Sequence, residues 1–223
     1  RAINITNSGG ALTDYQVLVT LDTSDLVYSK ANSDGSDLRF TNYANSTAYH
    51  YWIETWNPSG ESKIWVNVSS VPNGNSKMYM WYNNSAASSE SNGDATFVFF
   101  DDFSAGSIDW TNKWYSAGHS DFDIEDGWLR ARYPSSDNFI RTKNSYEENK
   151  SIHFLYKAER YNFQIGYVFW GDNADGLWEN NAAVTYRPRY TPSYDDGHQC
   201  SYMASPGGSP TNKTPYSSSQ PKR

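Results

Sequence analysis

Three carboxylates on alternate residues, Asp121-Phe122-Asp123-Ile124-Glu125, form the stretch of this chain with the most chemistry in it. In an extended strand, residues i, i+2 and i+4 share a face, so the three acids line one side with about 7 Å between successive members. Paired carboxyls about 5–5.5 Å apart serve as nucleophile and acid in retaining glycoside hydrolysis. Asp121, Asp123 and Glu125 are therefore the candidate catalytic residues. Two features favour an ordinary strand instead. Asp121 is one methylene short for a nucleophile, and Glu125 runs directly into Asp126-Gly127, a turn pair, which puts it at a strand end.

A second chemistry is cation binding. Asp101 and Asp102 are adjacent, so on a regular strand they point to opposite faces. At a strand end Asp102 can join backbone carbonyls around Ca²⁺, a hard ion that takes oxygen ligands. Asp172 and Asp175, in Asp172-Asn173-Ala174-Asp175-Gly176, are the other candidate ligands, although their spacing misses the Asp-x-Asp-x-Asp-Gly pattern. Turn and cap roles are the plainer reading of all three. His50, His119, His153 and His198 are dispersed, without zinc spacing. Cys200 has His198 nearby but no further partner that would mark a nucleophile.

A third is sugar stacking. Trp170, Trp178 and Tyr186 flank a loop rich in Asp and Asn, and aromatic faces with a few polar groups suit a glycan site. Core and rim packing is the alternative role for these rings. Asn-x-Ser/Thr acceptors for glycosylation occur at Asn4, Asn45, Asn67, Asn83, Asn149 and Asn212.

Bulk properties narrow the classes. The net charge is −7 and no basic run exists, which argues against nucleic-acid binding. No stretch approaches the roughly 18–20 apolar residues of a spanning helix. The single cysteine rules out an intrachain disulfide. Hydrophobic residues are only 37%, but nine Trp, eighteen Tyr and ten Phe can build a core. Each buried ring removes on the order of 150–250 Å² from water. Arg1 in place of an initiator Met points to a processed or excised chain.

The elements that would position these residues are strands. Arg1–Thr6, Tyr15–Leu21, His50–Trp56, Ile64–Val68 and Met78–Tyr82 alternate or run apolar, with turn residues between them. Thr96–Phe103 (TFVFFDDF) is the most apolar run and reads as a strand buried on both faces, the seam between two β-units. Asp126-Gly127 between Phe122–Glu125 and Trp128–Tyr133 predicts a two-residue hairpin. Phe139–Thr142, Ser151–Ala158, Phe163–Trp170 and Ala183–Arg187 read as further strands. No segment carries a helical period. Asp37 and Arg39 share a face, with Leu38 and Phe40 toward the core.

Three resemblances follow from these residues. RAINIT, LTDYQVLVTL, DGSDLRF, YWIETW, IWVNV, MYMWYNN and FFDDF, over nearly all of 1–103, resemble domain of unknown function twenty-three forty-one. Asp34-Gly35-Ser36-Asp37-Leu38-Arg39-Phe40 is the most specific element of that match. The resemblance implies an extracellular, non-catalytic β-domain of a surface protein. DDFSAG, the two tryptophans Trp110 and Trp114, and FDIEDGWLRA resemble the start of a laminin-G or concanavalin-like sandwich. The Asp121–Glu125 run resembles the Glu-x-Asp-x-Glu strand of jelly-roll β-glucanases.

The expected architecture is all-β: two antiparallel, jelly-roll-like β-sandwich domains in tandem, at 1–95 and 96–204. A Pro/Gly/Ser-rich tail or loop follows at 205–223. The second sandwich is short of strands, and an unpaired edge invites self-association, or pairing with other surface proteins, by strand addition. The expected function is that of a non-catalytic extracellular surface protein with a structural or adhesive role, such as a filament or array subunit. A carbohydrate-binding module is the alternative, and a glycoside hydrolase the third reading. Neither nucleic-acid binding nor membrane insertion is expected, and Ca²⁺ is the one cofactor that the residues suggest.

Overall fold

The computed structural model describes residues 1–116, 122–131, 140–144, 146, 167–169, 183–188, 198–202 and 211–213; for Ala131 and the last four segments it describes the backbone alone. The described elements are strands in antiparallel sheets with almost no helix, an all-β fold. The chain divides into two compact units. One holds residues 1–110 and 116–139, the other 111–115 and 140–223.

The first unit begins with β1 (Ala2–Asn7) and β2 (Leu12–Leu21), followed by β3 (Arg39–Asn42), β4 (Ala48–Tyr49), β5 (Tyr51–Thr55), β6 (Ser62–Val71) and β7 (Gly74–Trp81). Two sheets result, ordered β1-β7-β3-β4 and β2-β6-β5. Alternation in the sequence sets their faces. In β6, Ser62, Ile64, Val66 and Val68 are buried, while Lys63, Trp65 and Asn67 point the other way. In β7, Met78 and Met80 are buried between more exposed neighbours. Val19, Leu21, Phe40, Tyr51, Ile64, Val66, Val68, Met78 and Met80 share one core with Leu26 and Leu38, so both sheets bury their inner faces together. Each such aliphatic side chain contributes roughly 1.5–3 kcal/mol of transfer free energy. Tyr51 enters this core because its hydroxyl donates to the Leu38 carbonyl at 2.7 Å. Burial pushes its phenol up from the ordinary range.

The run His50–Trp56, expected as one strand, holds β5, and the short β4 precedes it as a separate strand. β4 pairs with β3 in the first sheet, whereas β5 pairs with β6 in the second. The chain changes sheets at His50, whose carbonyl accepts the Asn67 N–H at 2.9 Å. Pro72-Asn73 likewise carries the chain from β6 in one sheet to β7 in the other. Gly74 takes a φ of +89° there, open to glycine at little cost.

The stretch Thr96–Phe103 is not a strand. Helix α1 (Gly93–Thr96) is a single turn capped by Asn92, whose side chain accepts the Ala95 N–H at 3.0 Å. Irregular backbone follows. Phe97 and Phe100 dock on the outer face of the second sheet. Phe97 stands 5.9 Å from Trp52 and 5.7 Å from Trp65, ring centre to ring centre. Phe100 stands 4.7 Å from Trp52 and stacks on Phe97 at 5.8 Å. Gln16 secures the segment by donating to the Thr96 carbonyl at 3.1 Å. An apolar run without alternation does not reveal its own period. Here Phe97 and Phe100 turn to one side, i and i+3, while Val98 is 59% exposed, which a strand buried on both faces excludes. The segment is a third layer over the second sheet.

The first unit also holds the hairpin of β9 (Phe122–Glu125) and β10 (Trp128–Ala131). The second unit contains β8 (Trp114–Tyr115) paired with β11 (Arg141–Thr142). It also contains a four-stranded antiparallel sheet in the order β12 (Tyr167–Phe169), β13 (Ala183–Pro188), β14 (His198–Tyr202) and β15 (Thr211–Lys213). The last of these strands lies within 205–223, the stretch expected to be tail or loop.

Candidate functional site

The carboxylate run becomes half of the expected hairpin. Asp126 and Gly127 take φ values of 51° and 76°, the doubly left-handed turn that suits strand twist. Arg130 lies opposite Asp123 in the register. Its guanidinium grips Asp123 with two bonds, Nε–Oδ1 at 2.9 Å and Nη2–Oδ2 at 2.7 Å, and pairs with Glu125 through Nη1. The bidentate fork fixes both geometry and charge. Hydrogen bonding to Asp123 leads the causes that hold the guanidinium pKa above its ordinary value. Asp123 and Glu125 therefore form a cross-strand ion-pair cluster with Arg130. Asp121 lies outside the described residues.

Asp101 and Asp102 each close a turn. Asp101 accepts the Phe103 N–H at 2.9 Å and Asp102 the Ser104 N–H at 3.1 Å. Among the described residues no three His, Cys, Asp or Glu side chains converge as a cation cage would need. Asp172, Asp175, Trp170, Trp178 and Asn149 lie outside the described residues. Tyr186 falls on β13 opposite Cys200, and Asn212 on β15 opposite Ser201, where the backbone alone is described. Of the other acceptor asparagines, Asn4, Asn45 and Asn83 are exposed. Asn67 is half-buried on β6, and its Oδ1 is enclosed without a hydrogen-bond partner.

Asp34–Phe40 proves to be a structural knot. Asp34 accepts the Ser36 N–H at 3.0 Å, and its pKa is held below the usual carboxylate range by the Ser36 hydroxyl first and that N–H second. Gly35, at φ +71°, lies under the Trp56 ring, where a Cβ would come within 2.9 Å of Cε3. The Asp37 carboxylate is 2% exposed and accepts three backbone N–H groups, from Asn32 at 2.8 Å, Asn83 at 2.7 Å and Asn84 at 3.2 Å. Arg39 takes other partners. It donates to the carbonyls of Ser36, Leu38 and Ser88 and pairs with Glu90 at 2.9 Å. Asp37 and Arg39 tie neighbouring loops to the motif, while Leu38 and Phe40 anchor it in the core.

An unexpected constellation lies on the outer face of the first sheet. β7 sends Lys77, Tyr79 and Trp81 outward while Met78 and Met80 go in. Tyr43, just beyond β3, stacks on Tyr79 with ring centres 5.3 Å apart and planes 15° from parallel. Trp81 continues the row 5.7 Å from Tyr79. Its indole N–H donates to Thr41 Oγ1 at 3.0 Å, which orients the ring. Lys77 Nζ sits 5.9 Å from the Tyr43 ring centre. Tyr43 and Trp81 remain 58% and 45% exposed. Desolvation, and after it Tyr43, raises the Tyr79 phenol above its ordinary value. The signal for the β7 part of this row was available in the alternation of Lys77-Met78-Tyr79-Met80-Trp81, once the methionines were assigned to the core.

The fold defines a β-sandwich domain in which Asp37 and Arg39 tie loops together. Residues 34–117 match the model of the family described as Domain of unknown function (DUF2341). The matched span begins at the Asp34 knot and includes the aromatic cap. β1 and β2 precede it and nevertheless complete the two sheets, through β7 and β6 respectively. No curated protein and no solved structure matches the chain.

Proposed function

We propose that this chain is a non-catalytic extracellular module with an adhesive role. The row Tyr43–Tyr79–Trp81 carries this reading: a soluble surface that presents three adjacent aromatic rings, oriented by hydrogen bonding and stacking, suits binding. Of the three candidate carboxylates, Asp123 and Glu125 pair with Arg130, which supports the non-catalytic side of this reading. The extracellular placement draws on the Ser/Thr/Asn-rich composition and on the exposed acceptor sites Asn4, Asn45 and Asn83. The test is co-sedimentation of the intact chain with a panel of insoluble polysaccharides and cell-wall preparations. Retention on at least one, reduced in the Tyr43→Ala/Trp81→Ala double variant, is the expected result. No retention on any of them contradicts the adhesive role.

A further inference from the structure

We propose that the outer face of the first sheet binds an anionic polysaccharide, with a sugar ring stacked on the Tyr43–Tyr79–Trp81 row and the sugar's carboxylate received by Lys77. The inference rests on the adhesive reading and names its ligand class.

Charge decides the class. The chain is acidic overall, with 25 Asp and Glu against 18 Lys and Arg. The outward strand positions of this face depart from that balance. They are Ala2, Asn4 and Thr6 on β1, Asn75, Lys77, Tyr79 and Trp81 on β7, Arg39 and Thr41 on β3, and Ala48 on β4. None is a carboxylate. Arg39 is engaged by Glu90 at 2.9 Å, so Lys77 is the cation that stands against the rings. At physiological ionic strength charges are screened beyond about 8 Å, so the local cation outweighs the distant net charge. The apolar face of a sugar ring matches an aromatic plane, and its hydroxyls match rim groups such as Thr41 and Asn4. A neutral sugar would use the rings and leave Lys77 idle. A simple polyanion would use Lys77 and leave the rings idle. A uronate chain uses both.

The experiment is isothermal titration of the full chain with polygalacturonate, with dextran as a neutral sugar polymer and polyglutamate as an anion without sugar rings. Far-UV circular dichroism confirms the fold of every variant. The expected result is binding of polygalacturonate alone, weakened at least tenfold in both Tyr43→Ala and Lys77→Gln. Tyr43 is an exposed side chain, so its removal leaves the core intact. Equal binding of dextran overturns the anionic class while the adhesive reading stands. Equal binding of polyglutamate, or an unchanged Tyr43→Ala variant, shows attraction by charge alone and overturns the stacked site. Silence toward all three polymers overturns the proposal, and only the wider co-sedimentation panel then decides the adhesive reading.

Discussion

The Asp37 carboxylate accepts the backbone N–H of Asn83 at 2.7 Å across 46 positions of sequence. The same side chain holds Asn32 and Asn84, so one buried charge joins the loop before β3 to the loop after β7. Removing it leaves three backbone donors without their acceptor, and an orphaned buried donor costs about 1–3 kcal/mol. Asp37→Ala is expected to destabilise the chain by about 3 kcal/mol or more in urea denaturation. A loss below about 0.5 kcal/mol, the range of ordinary surface changes, contradicts the role given to Asp37.

Gly35 makes a related prediction two residues earlier. Its positive φ and its contact with Trp56 both exclude a side chain. Gly35→Ala should cost about 2 kcal/mol, part from backbone strain and part from overpacking. A shifted Trp emission spectrum should accompany the loss, because the Trp56 ring must move. Unchanged stability and emission would show that the loop adapts freely.

The aromatic cap gives a contrast within one segment. Phe100→Ala removes a ring packed on Trp52 and Phe97 and should cost about 2 kcal/mol, less than a fully buried phenylalanine. Val98→Ala should stay within about 0.5 kcal/mol. Near-UV circular dichroism should lose its tryptophan signal in the first variant alone. Equal effects at the two positions would restore the doubly buried strand that the sequence suggests.

The Asp34 knot should be sensitive to acid. Its folded pKa lies below the ordinary 3.8, so its contribution is fully present above that value and is lost as pH falls through the lower, folded pKa. Urea midpoints of the wild type and Asp34→Asn should therefore differ by a constant amount at neutral pH and converge in acid. A difference that stays flat between about pH 5 and pH 2 would contradict the assignment.

Much of this was legible in the sequence. Alternation in Tyr15–Leu21 and Ile64–Val68 identifies the cores of both strands, which extend to Leu12–Leu21 and Ser62–Val71, and Asp126-Gly127 identifies the hairpin, because period and turn chemistry are local signals. The sheet change at His50 was not legible, since β4 is only two residues long and runs almost directly into the aromatic stretch of β5. Thr96–Phe103 misled because an apolar run fits a strand and a docked cap equally well. The cross-strand Arg130 contact follows from the hairpin register, which Asp126-Gly127 already implies. The contact of Tyr43 with Tyr79, 36 residues apart, depends on pairing between β3 and β7, which no local pattern reports.

The central claim is that this chain binds a glycan surface without cutting it. It is tested most directly by measuring reducing ends released from β-glucans and uronate polymers incubated with the intact chain. The account predicts no release above the buffer control. Release by the wild type that disappears in Asp123→Asn or Glu125→Gln would contradict it, and would make the Arg130 cluster a resting state of a catalytic pair.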